Sequence, residues 1–203
     1  FLASIRAETG VTLSDLNLGG GYGVRYTQED EAIDIPARLA ELAAYLKEET
    51  ERLGLPMPRF LMEPGRSIVA DAGMTLYTVG SVKRIPGYKQ YAAVDGGMTD
   101  NPRYALYQSR YTVYHAHKSG SLERFDVVGR CCESGDIIQP GVELPGDTCR
   151  GDILAVCTTG AYNYSMASNY NRLPRPAVVM LTPDRIYEAV RRETFADLTG
   201  LDL

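Results

Sequence analysis
The sequence is short of several things, and each shortage removes a class of function. Its net charge is −5 and it has no basic block longer than a pair. A nucleic-acid footprint needs clustered Lys and Arg, so none is expected. No apolar run approaches the roughly 18 residues of a membrane-spanning helix. The first residues, FLASIRAETG, carry neither an initiator Met nor the basic-then-apolar pattern of a secretory signal. The plain reading is a chain that starts within a longer protein. The cysteines Cys131, Cys132, Cys149 and Cys157 form no CxxC and no Cys/His spacing suited to a metal. Two of them are adjacent, which suits neither a disulfide framework nor zinc. A reducing, cytoplasmic setting without metal is expected. Internal repeats and low-complexity segments are absent as well.

What is present divides into two textures. The apolar share, 44 % over 203 residues, is ordinary for one large or two small globular domains. Residues 1–9 read as a helix ending at Gly10. TLSDLNL alternates and reads as a short strand running into GGGYG. IPARLAELAAYLKEETERLG repeats Leu39, Leu42, Ala43 and Leu46 at helical spacing, with Pro36 in its first turn and Gly54 past its end. RFLMEPG is the next strand, apolar enough to expect cover on both faces, and IVADAGM can begin another helix. Strand, glycine turn, helix and strand make a βαβ unit with parallel strands. One such unit cannot close a sheet, so a missing N-terminal part, another chain or an atypical packing must complete it.

Beyond about residue 75 the segments LYTVGSVKRI, QYAAVDGG, YTVYHAHK, RFDVVGRCC, DILAVCTTG and PAVVMLT are short and rich in Val, Tyr and Thr. Gly, Pro and Asp punctuate them, which predicts an antiparallel sandwich or barrel. The tail RIYEAVRRETFADL reads as a helix at about 184–198 that packs Ile186, Val190 and Phe195. The expected organisation is α/β over residues 1–75, then all-β over 76–203.

The motifs each admit two readings. GGGYG, after a strand and before a helix, suits a phosphate held on backbone N–H groups, or merely a tight turn. It is neither a Walker motif nor GxGxxG. EPGRS closes the next strand, where loops of a parallel barrel usually hold phosphate. Arg66 has the fork for a phosphate or carboxylate, or it pairs with Glu63 on the surface. In VDGGMTDNPRYALY, Arg103 and Tyr107 share a face if the stretch is helical. They make a carboxylate-binding pair, or else an exposed Arg beside a half-buried Tyr. GRCCESGD places Cys132 as a proton donor and Glu133 as an amine acceptor, or one of its cysteines is a buried small hydrophobe. Tyr162 and Tyr164 in TTGAYNYSMASNYN contact a ligand or simply cover the sheet.

Taken in order, LNLGGGYG, EPGRSIVADAG, VDGGMTDNPRYALY, CCESGD and GDILAVCTTGAYNYSMASNYN resemble the motifs of the pyridoxal 5'-phosphate (PLP)-dependent diaminopimelate decarboxylases. These lie within the wider ornithine/arginine decarboxylase group with an alanine-racemase-like fold. The resemblance spans residues 13 to 180. It implies the last strands and helices of a TIM-type (β/α) barrel, then a β domain, in a homodimer with shared active sites. It assigns Gly20, Gly21 and Gly65 to the PLP phosphate, Glu63 to the pyridine nitrogen, and Arg66 to cofactor and substrate. Arg103 and Tyr107 would grip the distal carboxylate of an amino-acid substrate, and Glu133 its amine. Cys132 would be the proton donor, with Cys132 and Glu133 both reaching into the partner subunit's site, and Tyr162 would touch cofactor and substrate. The reaction implied is decarboxylation of meso-2,6-diaminopimelate to L-lysine. Alternatives are another basic amino acid, carboxynorspermidine, or a non-catalytic protein of the same fold. The sequence departs from the family in one respect. Its lysines, Lys47, Lys83, Lys89 and Lys118, match no cofactor-bonding lysine motif, and His115 and His117 both lie in the β region. It therefore looks like the C-terminal half of such an enzyme, inactive alone.

Overall fold
A computed structural model describes all 203 residues, which fall into two units, Phe1–Ala70 and Asp71–Leu203. The sequence places the join at 75/76. The backbone divides earlier because α3 (Arg66–Val69) is a single turn and strand β3 already begins at Met74.

In the first unit, α1 (Leu2–Thr9) ends where Gly10 turns left-handed at φ 74°. Helix α2 (Ile35–Arg52) starts on Asp34, whose side chain accepts the Ala37 N–H at 3.0 Å. Pro36 occupies its first turn, and the chain leaves past Gly54 at φ 63°. Strands β1 (Asp15–Asn17) and β2 (Arg59–Leu61) pair in parallel, Leu16 opposite Phe60, as the βαβ reading requires. The expectation that this strand is covered on both faces fails. The pair stands as a two-stranded sheet and Leu61 remains 40 % exposed. No flanking strand or second helix layer shields it within the unit.

The second unit is built on a six-stranded sheet ordered β5-β8-β3-β4-β6-β7. Its strands are β3 (Met74–Ile85), β4 (Lys89–Val94), β5 (Val113–His115), β6 (Leu122–Val128), β7 (Ile137–Pro145) and β8 (Ile153–Cys157). Alternation puts Val79, Ala92, Phe125, Val127, Ile138, Leu144, Leu154 and Val156 into one fully buried core. The sheet curves until its edges meet: the Tyr111 N–H, just before β5, donates to Gln139 Oε1 on β7 at 2.9 Å. One correction to the antiparallel expectation is needed, since β4 and β6 run parallel, Ala92 opposite Val127. The chain between them carries α4 (Arg103–Tyr107) and β5, so β6 enters from the same end as β4.

The expected helix at about 184–198 is also corrected. Ile186–Val190 is a strand, β10, antiparallel to β9 (Val178–Leu181). The turn between them decides it. Thr182 and Arg185 bond reciprocally around Pro183-Asp184, with Thr182 N–H to the Arg185 carbonyl at 3.0 Å and Arg185 N–H to Thr182 Oγ1 at 3.2 Å. Pro and Asp favour that turn, and once it forms, the alternating side chains of IYEAV suit a strand better than a helix. The expected packed face does not exist, because Ile186 and Phe195 are 74 % and 75 % exposed. Only Phe195–Thr199 is helical (α5), started by a capping box between Thr194 and Asp197.

Candidate functional site
In the first unit the motif residues gather where β1 and β2 end. Gly19 and Gly21 have φ 71° and 91°, the left-handed region that favours glycine. Gly20 is glycine for another reason: a Cβ there would collide with the backbone carbonyl oxygen of Glu63. The turn's own hydrogen bonds run through Gly19, whose N–H donates to Asn17 Oδ1 and whose carbonyl accepts the Glu63 N–H, each at 2.7 Å. The two loops are thereby locked together. Gly65 opens α3 with an N–H-bearing turn that no side chain caps.

The surface ion pair between Glu63 and Arg66 is not what forms. Glu63 Oε1 accepts from Asn17 Nδ2 at 2.6 Å, while Arg66 Nη1 donates to the Tyr26 hydroxyl and its guanidinium lies 5.7 Å from that ring's centre. Tyr26 is itself set by Asp30, whose Oδ2 accepts the Tyr26 and Thr27 N–H groups at 3.0 and 2.8 Å. Sequence reasoning missed Asn17 and Tyr26. For Asn17 the one signal is its place at the strand end, just before the glycines.

In the second unit the structure reverses the bland reading of the RYALY stretch. Arg103 is buried, 7 % exposed, and Tyr107 is the exposed partner at 60 %. One turn of helix stacks them, with the Arg103 guanidinium 5.2 Å from the Tyr107 ring centre. The other neighbours of Arg103 are weak: Met166 Sδ at 3.8 Å and Ser109 Oγ at 3.5 Å, and its Nε has no hydrogen-bond partner. A buried guanidinium facing a thioether and a hydroxyl, with no carboxylate beside it, is a cation prepared for an anion.

The two cysteines of GRCCESGD divide as one of the readings allows. Cys131 is buried at 1 % exposure, and burial pushes its thiol up from the ordinary range. Cys132 is exposed, in a left-handed turn at φ 50°. Glu133 beside it accepts from Ser134 Oγ and from the Tyr170 hydroxyl, both at 3.3 Å. The Glu133 charge, helped by burial, raises Tyr170, so this phenol keeps its proton and remains a donor. Tyr162 is 40 % exposed on the loop after β8. Its neighbour Asn163 points inward at 3 % exposure and accepts from the Tyr111 hydroxyl at 3.4 Å. That loop also supplies Met166 to Arg103. The second unit thus joins Arg103 with Tyr107 and Cys132 with Glu133, while Tyr162 stands on a third loop. No group of His, Cys, Asp and Glu is arranged to hold a metal ion, and no helix is long and apolar enough to cross a membrane.

Comparison with known proteins adds the family. The model described as "Pyridoxal-dependent decarboxylase, C-terminal sheet domain" matches residues 13–160. The diaminopimelate decarboxylase of Bacillus subtilis (strain 168) is 50 % identical over 190 residues, which are 93 % of this chain and 43 % of that protein. That of Staphylococcus aureus (strain COL) is 41 % identical over 192 residues, 94 % of this chain and 46 % of that one. Among solved structures, diaminopimelate decarboxylase from M. jannaschii in complex with L-lysine superposes with a TM-score of 0.92 at 33 % identity. It covers all of this chain and 46 % of its own length is matched. A lysine/ornithine decarboxylase from Vibrio vulnificus complexed with cadaverine gives 0.71 at 28 % identity, over 84 % of this chain and 44 % of that one. The chain therefore spans about half or less of the length of the relatives it matches.

Proposed function
Because the chain belongs to the pyridoxal-dependent decarboxylases, through their C-terminal sheet domain, we propose that it is the C-terminal portion of a meso-2,6-diaminopimelate decarboxylase. In this reading residues 1–70 are the closing strands and helices of a TIM-type barrel. The enzyme works as a cytoplasmic homodimer with shared active sites.

The residues present fit PLP. The glycine turn spends only Gly19 on its own bonding, leaving the Gly20 and Gly21 N–H groups for the phosphate, joined by Gly65 at the start of α3. Asn17 fixes one oxygen of Glu63, and the other would accept the pyridine N–H and keep that ring protonated. When bound, PLP supplies an electron sink for the pair released as the α-carboxylate leaves as CO2. Arg66, aligned by Tyr26, binds and orients the substrate. The Cys132 thiol gives its proton to the carbon from which CO2 has left, and Tyr162 covers cofactor and substrate.

The observation that carries the substrate choice is Arg103, buried and facing no carboxylate. It fits a substrate with a second carboxylate remote from the reacting carbon, with Tyr107 as its companion. Glu133 then takes the remote ammonium. Diaminopimelate has both groups; ornithine lacks the second carboxylate and gives Arg103 nothing to bind. The test is Arg103→Ala in the complete enzyme. A lost charge-assisted pair of about 2–3 kcal/mol predicts roughly a 30- to 150-fold fall in kcat/KM for diaminopimelate. Unchanged turnover would defeat the assignment.

A further inference from the structure
The side chain that joins two motif-bearing loops of the second unit is Asp136, which the roles above leave unused. It sits at the foot of the Gly129–Asp136 loop, just before β7, and is 4 % exposed. Its Oδ2 accepts the Cys131 N–H at 2.6 Å and its Oδ1 accepts the Met98 N–H at 2.6 Å. These donors belong to different loops. The first carries Cys132 and Glu133 at its tip, closed at its base by Gly129 N–H to the Asp136 carbonyl at 2.9 Å and by Asp136 N–H to the Glu133 carbonyl at 3.0 Å. The second follows β4 and leads into α4, where Arg103 stands.

The fit around this carboxylate is close. A Cβ at Gly97 would come within 2.6 Å of Oδ1 and 2.7 Å of Oδ2, and one at Gly129 would collide with the same group. Two glycines, one in each loop, thus leave room for one carboxylate between them. Two further contacts join the loops, Arg130 N–H to the Gly96 carbonyl at 3.2 Å and the Cys131 thiol to Thr99 Oγ1 at 4.0 Å. Burying a carboxylate is costly even when hydrogen-bonded, and an apolar plug would hold two loops together at lower cost. What an apolar plug does not do is fix two backbone N–H groups at defined positions.

We infer that Asp136 is a positioning residue: its buried carboxylate anchors the Cys132–Glu133 turn, at a fixed distance and orientation, on the loop that follows β4. It acts on the reaction through Cys132 and touches neither substrate nor cofactor. The role rests on the proposed decarboxylase reading for its kinetic consequence, but not for its structural one.

The experiment has two arms, both with Asp136→Asn, which keeps size and one acceptor. Amide hydrogen exchange on this chain should show Met98 and Cys131 speeding up about tenfold or more, with the core strands β3, β4 and β8 unchanged. In the complete decarboxylase, Asp136→Asn should lower kcat by about 10- to 100-fold, as small misplacement of a reacting group does. In a Cys132→Ala background the same change should alter kcat by less than about twofold, because a residue acting through the thiol has nothing left to position. Asp136→Glu should not rescue, since the glycine-lined gap has no room for another methylene. Unchanged exchange at Met98 and Cys131, or an equal loss of kcat with and without Cys132, would overturn the inference. If the unsubstituted enzyme turned over no diaminopimelate, the reading of function would fall and the exchange arm would decide the role of Asp136.

Discussion
Gly20 and Arg103 show how differently single residues reveal their purpose. A run of three glycines suggests backbone laid bare for a ligand, yet Gly20 is bare first because the Glu63 carbonyl occupies the space of its side chain. The ligand, in the proposed reading, takes the N–H groups of Gly20 and Gly21. Gly20→Ala should therefore damage the fold and the cofactor site together. We expect about 1–3 kcal/mol of lost stability in urea titration, as for other overpacked sites, and weaker PLP binding by fluorescence titration. Arg103 was legible as a candidate from the spacing to Tyr107, but its burial was not. The groups that enclose it, Ser109 and Met166, come from separate stretches, and Met166 lies on a loop far along the chain. Arg103→Lys keeps the charge and loses the planar fork. It should raise the KM for diaminopimelate by about tenfold with a smaller change in kcat, the pattern of lost binding common to ground and transition states.

At the scale of elements, regular alternation made β3, β4, β5, β6, β8 and β9 readable, and the Pro36/Gly54 pair bounded α2. Two strands escaped. β7 carries Pro140 and Gly141 in its middle, which ordinarily argue against a strand. They are tolerated because the register slips there, and Gly141, at φ 67°, donates its N–H to Asp126 Oδ1 at 2.8 Å. β10 escaped because Ile186, Val190 and Phe195 also fit a helical period, and the turn that excludes a helix is formed by Thr182 and Arg185. A contact equally invisible in the sequence secures the β5 edge. Asp152 Oδ2 accepts from Lys118 Nζ at 2.7 Å and from the Cys149 N–H at 2.8 Å, with His115 Nε2 at 3.1 Å. Burial alone would raise the Asp152 carboxyl, but these partners outweigh it and hold it far below the ordinary carboxylate range. Its folded value is thus depressed below the unfolded one of about 3.9. The stability it adds is complete above that pH and is lost as pH falls towards the folded value. Asp152→Asn should lower the urea midpoint at pH 7, and the gap from the unsubstituted chain should narrow as pH drops below about 4. A gap that stayed constant down to pH 2 would show that the ionised carboxylate contributes nothing there.

On the scale of the whole molecule, the division into two textures was legible because parallel βαβ patterning and short alternating strands bury their residues differently. What covers the first unit's parallel pair was not, since the two strands stand alone with Leu61 exposed and no periodicity in the sequence says what packs on them. The lysines bear on the same point. Lys89 pairs with Asp126 at 2.6 Å and Lys118 with Asp152 at 2.7 Å, and both hydrogen bonds raise the ammonium above its ordinary range. Lys47 lies exposed on α2 and Lys83 exposed on β3. An amine that bonds PLP covalently must reach its aldehyde carbon as a neutral nucleophile in a sheltered site. Two of these amines are held as ammonium by carboxylates, and the other two stand on open surface. Incubating the chain with PLP and reducing with borohydride should therefore leave no single lysine stoichiometrically labelled in peptide mass spectra. The complete enzyme treated alike should carry one pyridoxyl group, on a lysine outside these 203 residues. Stoichiometric labelling of Lys47, Lys83, Lys89 or Lys118, abolished by substituting that residue, would make this chain a self-sufficient cofactor site and end the reading of it as one part of a larger decarboxylase.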